Sequence, residues 1–414
     1  MEKAILVQAV TSDVTDVNYE LDELENLLTA CECTATRRVT QNLDKINPAT
    51  YLNKGKLSEI KEMIEDEEII AFNDELTPSQ ISNLEDYFGL KIFDRTYIIL
   101  EIFSRRAKTK EAILQVELAK LRYLLPRIRS LHDGFSHQQG KGSGEKQIDI
   151  DRRHIGQRIS LLKEEIEKIK KVRDTQRIKR NKTNIKTVSL VVYTNSGNSS
   201  LLNAILSKFS ESENKDKLVF EKNMLFATLD TYTREIKPNL DELKNKSFLL
   251  TDTVGFVEKL PHHLIEAFKS TLEEIKESDL IIHVVDCTNP NYMRHIKTTN
   301  EVLEELDVKD IEILYVFNKI DLVEGYFYIP NEFSDAIRCS AKTYDNIDRL
   351  LITIDKHLFK DTFIKLLLPF DRGDIVNVIK TNYRLTYLEY TNDGIRVDCY
   401  VSDIYLNKLK QYEI

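Results

Sequence analysis

The chain has few of the features that staple or anchor a protein. Its 414 residues include only five cysteines, Cys31, Cys33, Cys287, Cys339 and Cys399, and these are scattered. Cys31-Glu-Cys33 has the wrong spacing for a zinc knuckle, and no second pair lies near it. Neither a disulfide framework nor a structural zinc site is indicated, and reduced, mostly buried thiols of a cytosolic protein are expected. No run of 18 apolar residues occurs, which argues against a membrane-spanning helix. Met1-Glu-Lys-Ala lacks a basic stretch followed by an apolar core, so no signal peptide is expected.

What is present describes a folded, multidomain protein. With 42% hydrophobic and 31% charged residues, the composition is neither disordered nor fibrous. The length exceeds what one core holds, so two to four domains are expected. The formal net charge of −9 argues against a simple nucleic-acid coater. The charge is uneven, however. Residues 152–186 carry 13 Lys/Arg against 4 Asp/Glu, a local excess of nine. Such a block is either a solvated helix face or a footprint on a polyanion.

Residues 1 to about 103 alternate strand and helix patterns, which predicts a mainly parallel sheet. Ala4 to Val10, Glu68 to Phe72 and Leu90 to Phe93 read as strands, with helical stripes at Leu21, Leu24, Leu27 and Leu28 and from Leu57 to Met63. Thr77-Pro78 fits a helix start ahead of Ile81, Leu84 and Phe88, and Gly89 fits its end. Residues 47–56 read as a polar, turn-rich loop. Leu114, Leu118, Leu121 and Leu125 then step by 4, 3 and 4 and predict a helix ending near Pro126. Ile155, Ile159, Leu162, Ile166, Ile169 and Val172 predict a second helix, and the two together an αα-hairpin with one apolar seam. The loop between them, His137 to Lys146, alternates Gly140, Gly142 and Gly144 with Lys141, Ser143 and Glu145. It is either a flexible tip or a backbone made to lie close against RNA, phosphate or a switch segment.

From Thr187 to about Lys360, short apolar strands precede longer helices, the pattern of a doubly wound parallel sheet. The strands are expected at 188–192, 248–251, 279–285, 312–317 and 336–339. Residues 361–414 read as a small module with strands at 375–379, 387–390 and 395–400, a turn at Asn392-Asp-Gly394 and a terminal helix from Ile404.

Most strands of the third domain end in something chemical. Val192 to Ser199 lies where a P-loop would sit, yet Val192 takes the first glycine's place and Asn198 the lysine's. Read alone, Gly197-Asn-Ser-Ser is either an ordinary helix start or a backbone cradle for phosphates, with Ser199 offering a hydroxyl to Mg²⁺. Asp252-Thr-Val-Gly255 follows the next strand, where an aspartate holds a magnesium water and a glycine N–H senses a γ-phosphate. Asn318-Lys-Ile-Asp321 is more specific, because the Asp321 carboxylate accepts both N–H groups on guanine's Watson–Crick edge. Ser340-Ala-Lys342 has a backbone able to close over the guanine carbonyl. Four such sites in this order and spacing describe a guanine-nucleotide domain.

The chain resembles the HflX family of translation-factor-related GTPases over nearly its whole length. The matching stretches include residues 47–56, Phe93-Asp-Arg-Thr96, 102–109, 115–121, Asp151-Arg-Arg153, Tyr193-Thr-Asn195, 225–230, Thr251-Asp-Thr-Val-Gly-Phe256 and Leu260-Pro-His-His-Leu-Ile-Glu-Ala-Phe268. The resemblance implies an α/β multidomain protein. An α/β N-terminal domain (1–108) leads to a helical hairpin (109–183, tip 139–146), a P-loop doubly wound G domain (184–360) and a small C-terminal α+β domain (361–414). It implies a cytoplasmic GTP-binding protein, with a loosely membrane-associated fraction, that is monomeric off the ribosome. Such a protein associates with the large (50S) ribosomal subunit and its rRNA, splits or rescues stalled ribosomes under stress, and hydrolyses GTP to GDP and phosphate with Mg²⁺. Carried over by position, nucleotide contacts fall on Val192, Tyr193, Thr194, Asn195, Ser196, Gly197, Asn198, Ser199 and Ser200, and on Phe226, Ala227, Thr228, Leu229 and Asp230. They continue at Asp252, Thr253, Val254, Gly255, Asn318, Lys319, Asp321, Ser340, Ala341 and Lys342, with Ser199 and Thr228 as Mg²⁺ ligands. Ribosomal contacts fall on Lys141, Gly142, Ser143, Gly144, Arg152 and Arg153, where Lys-Gly-Ser-Gly-Glu replaces the family's usual Arg-Gly-Pro-Gly-Glu. Phe256 stands where a water-orienting glutamine is found in the wider class, and His262 and His263 are expected in a surface or interface role. The missing lysine predicts weak hydrolysis, and a β-branched Val192 predicts a strained loop if the position needs a glycine's backbone.

Overall fold

The computed structural model describes residues 2–12, 14–128, 143–181, 185–209, 226, 232–237, 247–260, 264, 272–333 and 335–414. The chain divides into two compact units. The first holds residues 1–177 with the described residues Phe226, 258–260 and Leu264; the second holds the remainder.

In the first unit, β1 (Glu2–Val10), β2 (Cys33–Asn42), β3 (Ile69–Phe72) and β4 (Lys91–Asp94) form a parallel sheet in the order β2-β1-β3-β4. Helices α1 (Val17–Ala30), α2 (Lys54–Met63), α3 (Pro78–Phe88) and α4 (Arg95–Arg106) connect and cover it. Local chemistry sets these boundaries. Asp16 caps α1, while Thr77 and Gln80 form a reciprocal capping box on α3, which stops at Gly89 in the left-handed region (φ 69°). Strand β2 escapes the hydrophobic pattern. It is an edge strand whose Arg37 and Arg38 pair with Glu65, Asp22 and Glu25, so only its β-branched content signals it.

Helix α5 (Lys110–Leu124) gives way to a 3₁₀ turn at Leu125–Arg127, beside the proline that breaks it. It packs against α6 (Ser143–Asn181) through Leu114, Leu118 and Leu121 facing Ile159, Leu162, Ile166 and Ile169. The expected seam is therefore present, but Val172 lies outside it at 61% exposure. Arg158 adds a two-pronged pair to Glu117 (2.7 and 2.9 Å), and Arg173 pairs with Glu111. Part of the basic block thus fastens the hairpin. Residues 143–146, expected in the tip loop, are helical, and Lys141 and Gly142 lie outside the described residues.

In the second unit, a six-stranded sheet runs β10-β9-β8-β5-β7-β6, from β5 (Lys186–Val192), β6 (Tyr232–Ile236), β7 (Phe248–Asp252), β8 (Leu280–Asp286), β9 (Glu312–Asn318) and β10 (Ile337–Arg338). Only β6 is antiparallel to its neighbour. Helices α7 (Asn198–Phe209), α8 (Tyr292–Glu305) and α9 (Ile347–Phe359) cover it. Strand β5 lies between β7 and β8; the chain runs from β5 out to β6 and back to β7 on one side, then crosses to β8 on the other, so the sheet's switch point opens beyond the carboxyl end of β5. One core joins alternate residues of β5, β7 and β8 to Leu201, Leu202 and Ile205 of α7 and to Leu350, Leu351 and Ile354 of α9.

The chain ends in a three-stranded antiparallel sheet, β11-β13-β12, of β11 (Thr362–Leu368), β12 (Arg384–Thr391) and β13 (Gly394–Val401), with helices α10 (Gly373–Asn382) and α11 (Asp403–Leu409). The expected strand at 375–379 is instead the middle of α10. Ile375, Val376 and Ile379 are its buried residues, one helical stripe, and β11 supplies the third strand.

Candidate functional site

Strand β5 delivers its last residue, Val192, straight into the core. Val192 is fully buried, pairs with Val284, and accepts the Phe256 N–H at 2.8 Å. It is absent from the residues with positive φ, so the expected strain does not arise. The left-handed positions of the loop are Asn195 (φ 67°) and Gly197 (φ 88°). A Cβ on Gly197 would come within 2.6 Å of Asn318 Nδ2, so both space and backbone demand glycine there.

Internal bonds fix the rest of the loop. Tyr193 O accepts the Ser196 N–H (3.2 Å) and its hydroxyl (2.8 Å), and the Thr194 N–H donates to Phe256 O at 2.7 Å. Gly255 lies so close that a Cβ would meet Thr194 Cα at 3.1 Å, which stitches the Asp252–Gly255 loop onto the phosphate loop. Thr253 lies on the same loop and donates its hydroxyl to Leu190 O at 2.7 Å, and Val254 is buried. Phe256 is buried and paired with Tyr193, so its side chain offers nothing to a water.

Asn198 opens α7 where a P-loop lysine would stand. Its Nδ2 donates to Asp252 Oδ1 (2.6 Å) and Thr253 O (3.3 Å), and Ser199 Oγ donates to Asp252 Oδ2 (3.0 Å). Asp252 is completely buried, and this burial pushes its carboxyl up to about 7 against the opposing bonds from Ser199, Asn198 and the Thr253 N–H. Neutral donors thus surround this carboxylate. Ser200 continues the helix.

The residues expected to read guanine assemble beside it. Asn318, at the end of β9, donates Nδ2 to Ser196 O (3.0 Å) and accepts the Ala341 N–H (3.0 Å). Lys319, left-handed at φ 69°, donates Nζ to Asn195 O and to Asp286 Oδ2, both at 2.7 Å. Asp321 accepts the Ser340 hydroxyl at 2.6 Å and is half-buried, and Lys342 is exposed. Asp286 was not anticipated, although its signal was an acid closing a strand whose neighbours also end in chemistry. Residues 192–200, 252–255, 318–321 and 340–342 are thus brought to one edge of the sheet.

Other expected positions fall elsewhere. Phe226 belongs to the first unit, where it meets Phe103 edge-on at 4.7 Å. Ala227, Thr228, Leu229, Asp230, His262 and His263 lie outside the described residues. Arg152 is half-buried and Arg153 exposed on α6, while the surroundings of Ser143 and Gly144 lie outside the described part. Among the described residues no group of three acidic, histidine or cysteine side chains could hold a metal alone. The oxygens of Ser199 and Asp252 nevertheless suit a hard cation that takes its other ligands from phosphate and water. All five cysteines are buried and free. No described helix is long and apolar enough to cross a membrane.

Three family descriptions match in chain order: a GTP-binding GTPase N-terminal region at residues 18–104, a GTP-binding GTPase middle region at 106–180, and a 50S ribosome-binding GTPase at 187–319. The chain is 41% identical over 408 residues to the GTPase HflX of Lacrimispora saccharolytica, covering 97% of this chain and 93% of that one. It is 40% identical over 421 residues to the GTPase HflX of Caldanaerobacter subterraneus subsp. tengcongensis, covering 100% and 94%. Among solved structures, a GTP-binding protein from the hyperthermophilic archaeon Sulfolobus solfataricus in complex with GDP is 25% identical, covering 87% of this chain and 99% of that one at a TM-score of 0.45. Spanning these relatives almost end to end, with the guanine-nucleotide motifs in one place, the chain belongs to the HflX family of GTPases.

Proposed function

We propose that this protein is a GTP-binding factor of the large (50S) ribosomal subunit that splits or rescues stalled ribosomes under stress, and that it binds nucleotide far better than it hydrolyses it. The observation that carries the second half is the Asn198–Asp252 bond. Where phosphoryl transfer needs a cation against the β- and γ-phosphate oxygens, this chain presents an amide already committed to a buried carboxylate. Binding is supported by the loop's backbone N–H groups at the start of α7, by the Asn318 brace and by the Asp321 carboxylate. Ser199, and Thr228 by resemblance, would hold Mg²⁺, with Asp252 acting through water; when bound, the ion neutralises phosphate charge. Val192 plays no part in the deficit, because it serves the core.

Cytoplasmic location and a monomeric state off the ribosome belong to the same reading. So do the domain division at about 108, 183 and 360 and a ribosomal footprint over the hairpin tip and the basic block, Arg152 and Arg153 included. GTP hydrolysis measured with and without large subunits, for this chain and for Asn198→Lys, tests the proposal. A lost transition-state donor costs about 3–4 kcal/mol, so Asn198→Lys is expected to raise subunit-stimulated turnover by roughly 10²–10³. Equal turnover in the two proteins would show that the missing charge is supplied from elsewhere and would refute the slow-hydrolysis reading.

A further inference from the structure

Helix α8 carries a histidine where its buried stripe would be expected to hold an aliphatic residue. Its inward residues are His295, Ile296, Thr299, Val302 and Leu303. His295 is 6% exposed and lies flat against the ring of Tyr193, with centroids 3.8 Å apart and an interplanar angle of 1°. Tyr193 is 3% exposed and is the first residue beyond β5. Several bonds of the site depend on its position. The Tyr193 carbonyl takes both bonds from Ser196, its backbone bridges to Phe256, and its two neighbours exchange N–H and C=O bonds with Phe256. The phosphate loop and the Asp252–Gly255 loop therefore meet at one tyrosine, and its ring is held by a side chain from another helix.

We infer that His295 is a positioning residue for guanine-nucleotide binding. Its ring clamps Tyr193 and so keeps both loops in the nucleotide-accepting arrangement before nucleotide arrives. This rests on the reading that guanine nucleotide binds at this loop. The neighbouring His283 does not substitute for it, since that ring tilts against Tyr315 at 5.1 Å. The chemistry is aromatic surface fixing a backbone, in which less ordering remains for the ligand to impose.

The test compares the full chain with its His295→Ala, His295→Phe and Leu303→Ala variants, the last truncating the same buried face of α8 away from Tyr193. The probe is a fluorescent GDP derivative, read as dissociation constant and dissociation rate. His295→Ala is expected to weaken binding roughly 2- to 12-fold, the worth of a stacked aromatic pair beyond its buried area, mainly through faster dissociation. His295→Phe is expected to bind within about twofold of the native chain, and Leu303→Ala to lose stability without losing affinity. Unchanged affinity in His295→Ala, no rescue by phenylalanine, or an equal loss in Leu303→Ala would each overturn the inference. Amide hydrogen exchange at Thr194 and Phe256 in nucleotide-free protein decides it separately, with faster exchange expected in His295→Ala and restored protection in His295→Phe. If the native chain binds no guanine nucleotide, the functional reading fails, and the exchange rates still settle the role of His295.

Discussion

Replacing Gly197 by alanine isolates the geometry on which nucleotide binding depends. Two costs follow from the structure. At φ 88° an L-residue sits in sparsely populated backbone space, at about 1–3 kcal/mol. The new Cβ would also stand 2.6 Å from Asn318 Nδ2, in a side chain 1% exposed and held at both ends by Ser196 O and the Ala341 N–H. Asn318 must therefore move and surrender two bonds, each worth about 0.5–1.5 kcal/mol. The combined penalty is roughly 2–6 kcal/mol. Since 1.4 kcal/mol is about tenfold, guanine-nucleotide affinity is expected to fall by between roughly 30-fold and roughly 20,000-fold. Titration with labelled GDP measures this, with circular dichroism confirming the fold. Gly325→Ala supplies the control. Gly325 has nearly the same φ, 86°, but nothing lies within 4 Å of its added Cβ. It should lose stability through the backbone alone and keep its affinity within about threefold. Should Gly197→Ala bind within threefold of the native chain, or Gly325→Ala weaken as much, the clash with Asn318 would not be the determinant.

Three further outcomes follow from burial. His283 is wholly buried, and burial, aided by His295, pushes its imidazole down to about 3 from an ordinary 6.5. Between those values the unfolded chain binds a proton that the folded chain refuses, so stability falls as pH drops below about 6.5, by about 1.4 kcal/mol per unit. Exchange of the slowest β8 amides at pH 7 and pH 5 should show it, and His283→Leu should flatten the dependence. Arg95→Met removes the cation from the buried Glu23 carboxylate, in a site where Arg95, 2% exposed, also binds Asn73 (2.8 Å) and Glu258 O (2.9 Å). The first unit is expected to lose about 3–5 kcal/mol, read from the slowest β1 amides, with most of it returned by adding Glu23→Leu. Val192→Gly should cost about 2–4 kcal/mol by emptying a core position, without raising GTP turnover. A gain in turnover would reinstate the valine as an obstacle.

The parts of the fold that were legible are those buried on both faces. Strands β5, β7, β8 and β9 read as nearly continuous apolar runs because helices cover the sheet. Edges were illegible for the opposite reason. Strands β2 and β6 expose charge, and β6, Tyr-Thr-Arg-Glu-Ile, carries no alternation a sequence reader would trust. Ile-Val-Asn-Val-Ile at 375–379 misleads because β-branched residues around a polar centre mimic a strand, whereas tertiary packing selects the spacing of Ile375, Val376 and Ile379. The motif order around the site was visible. The pairings that give it character were not: Asn198 with Asp252, Lys319 with Asp286, and Tyr193 with His295 each join strands and helices far apart in the chain.

Those pairings separate two substitutions that look equivalent in the sequence. Val192 and Asn198 both depart from a P-loop, and either could be blamed for a weak site. The structure gives them opposite weight. Val192 is the last strand residue and belongs to the core, where a β-branched side chain fills space and the backbone is an ordinary strand. Asn198 points into the site and spends its amide on Asp252, the carboxylate that Ser199 also contacts. A lysine there would bring a positive charge to a carboxyl that burial otherwise drives toward neutrality. On the proposed reading, binding leans on backbone geometry set by Gly197, Gly255, Tyr193 and Asn318, whereas turnover leans on charge. A chain built this way would hold guanine nucleotide as an occupancy signal, and slow turnover would trace to one side chain, Asn198.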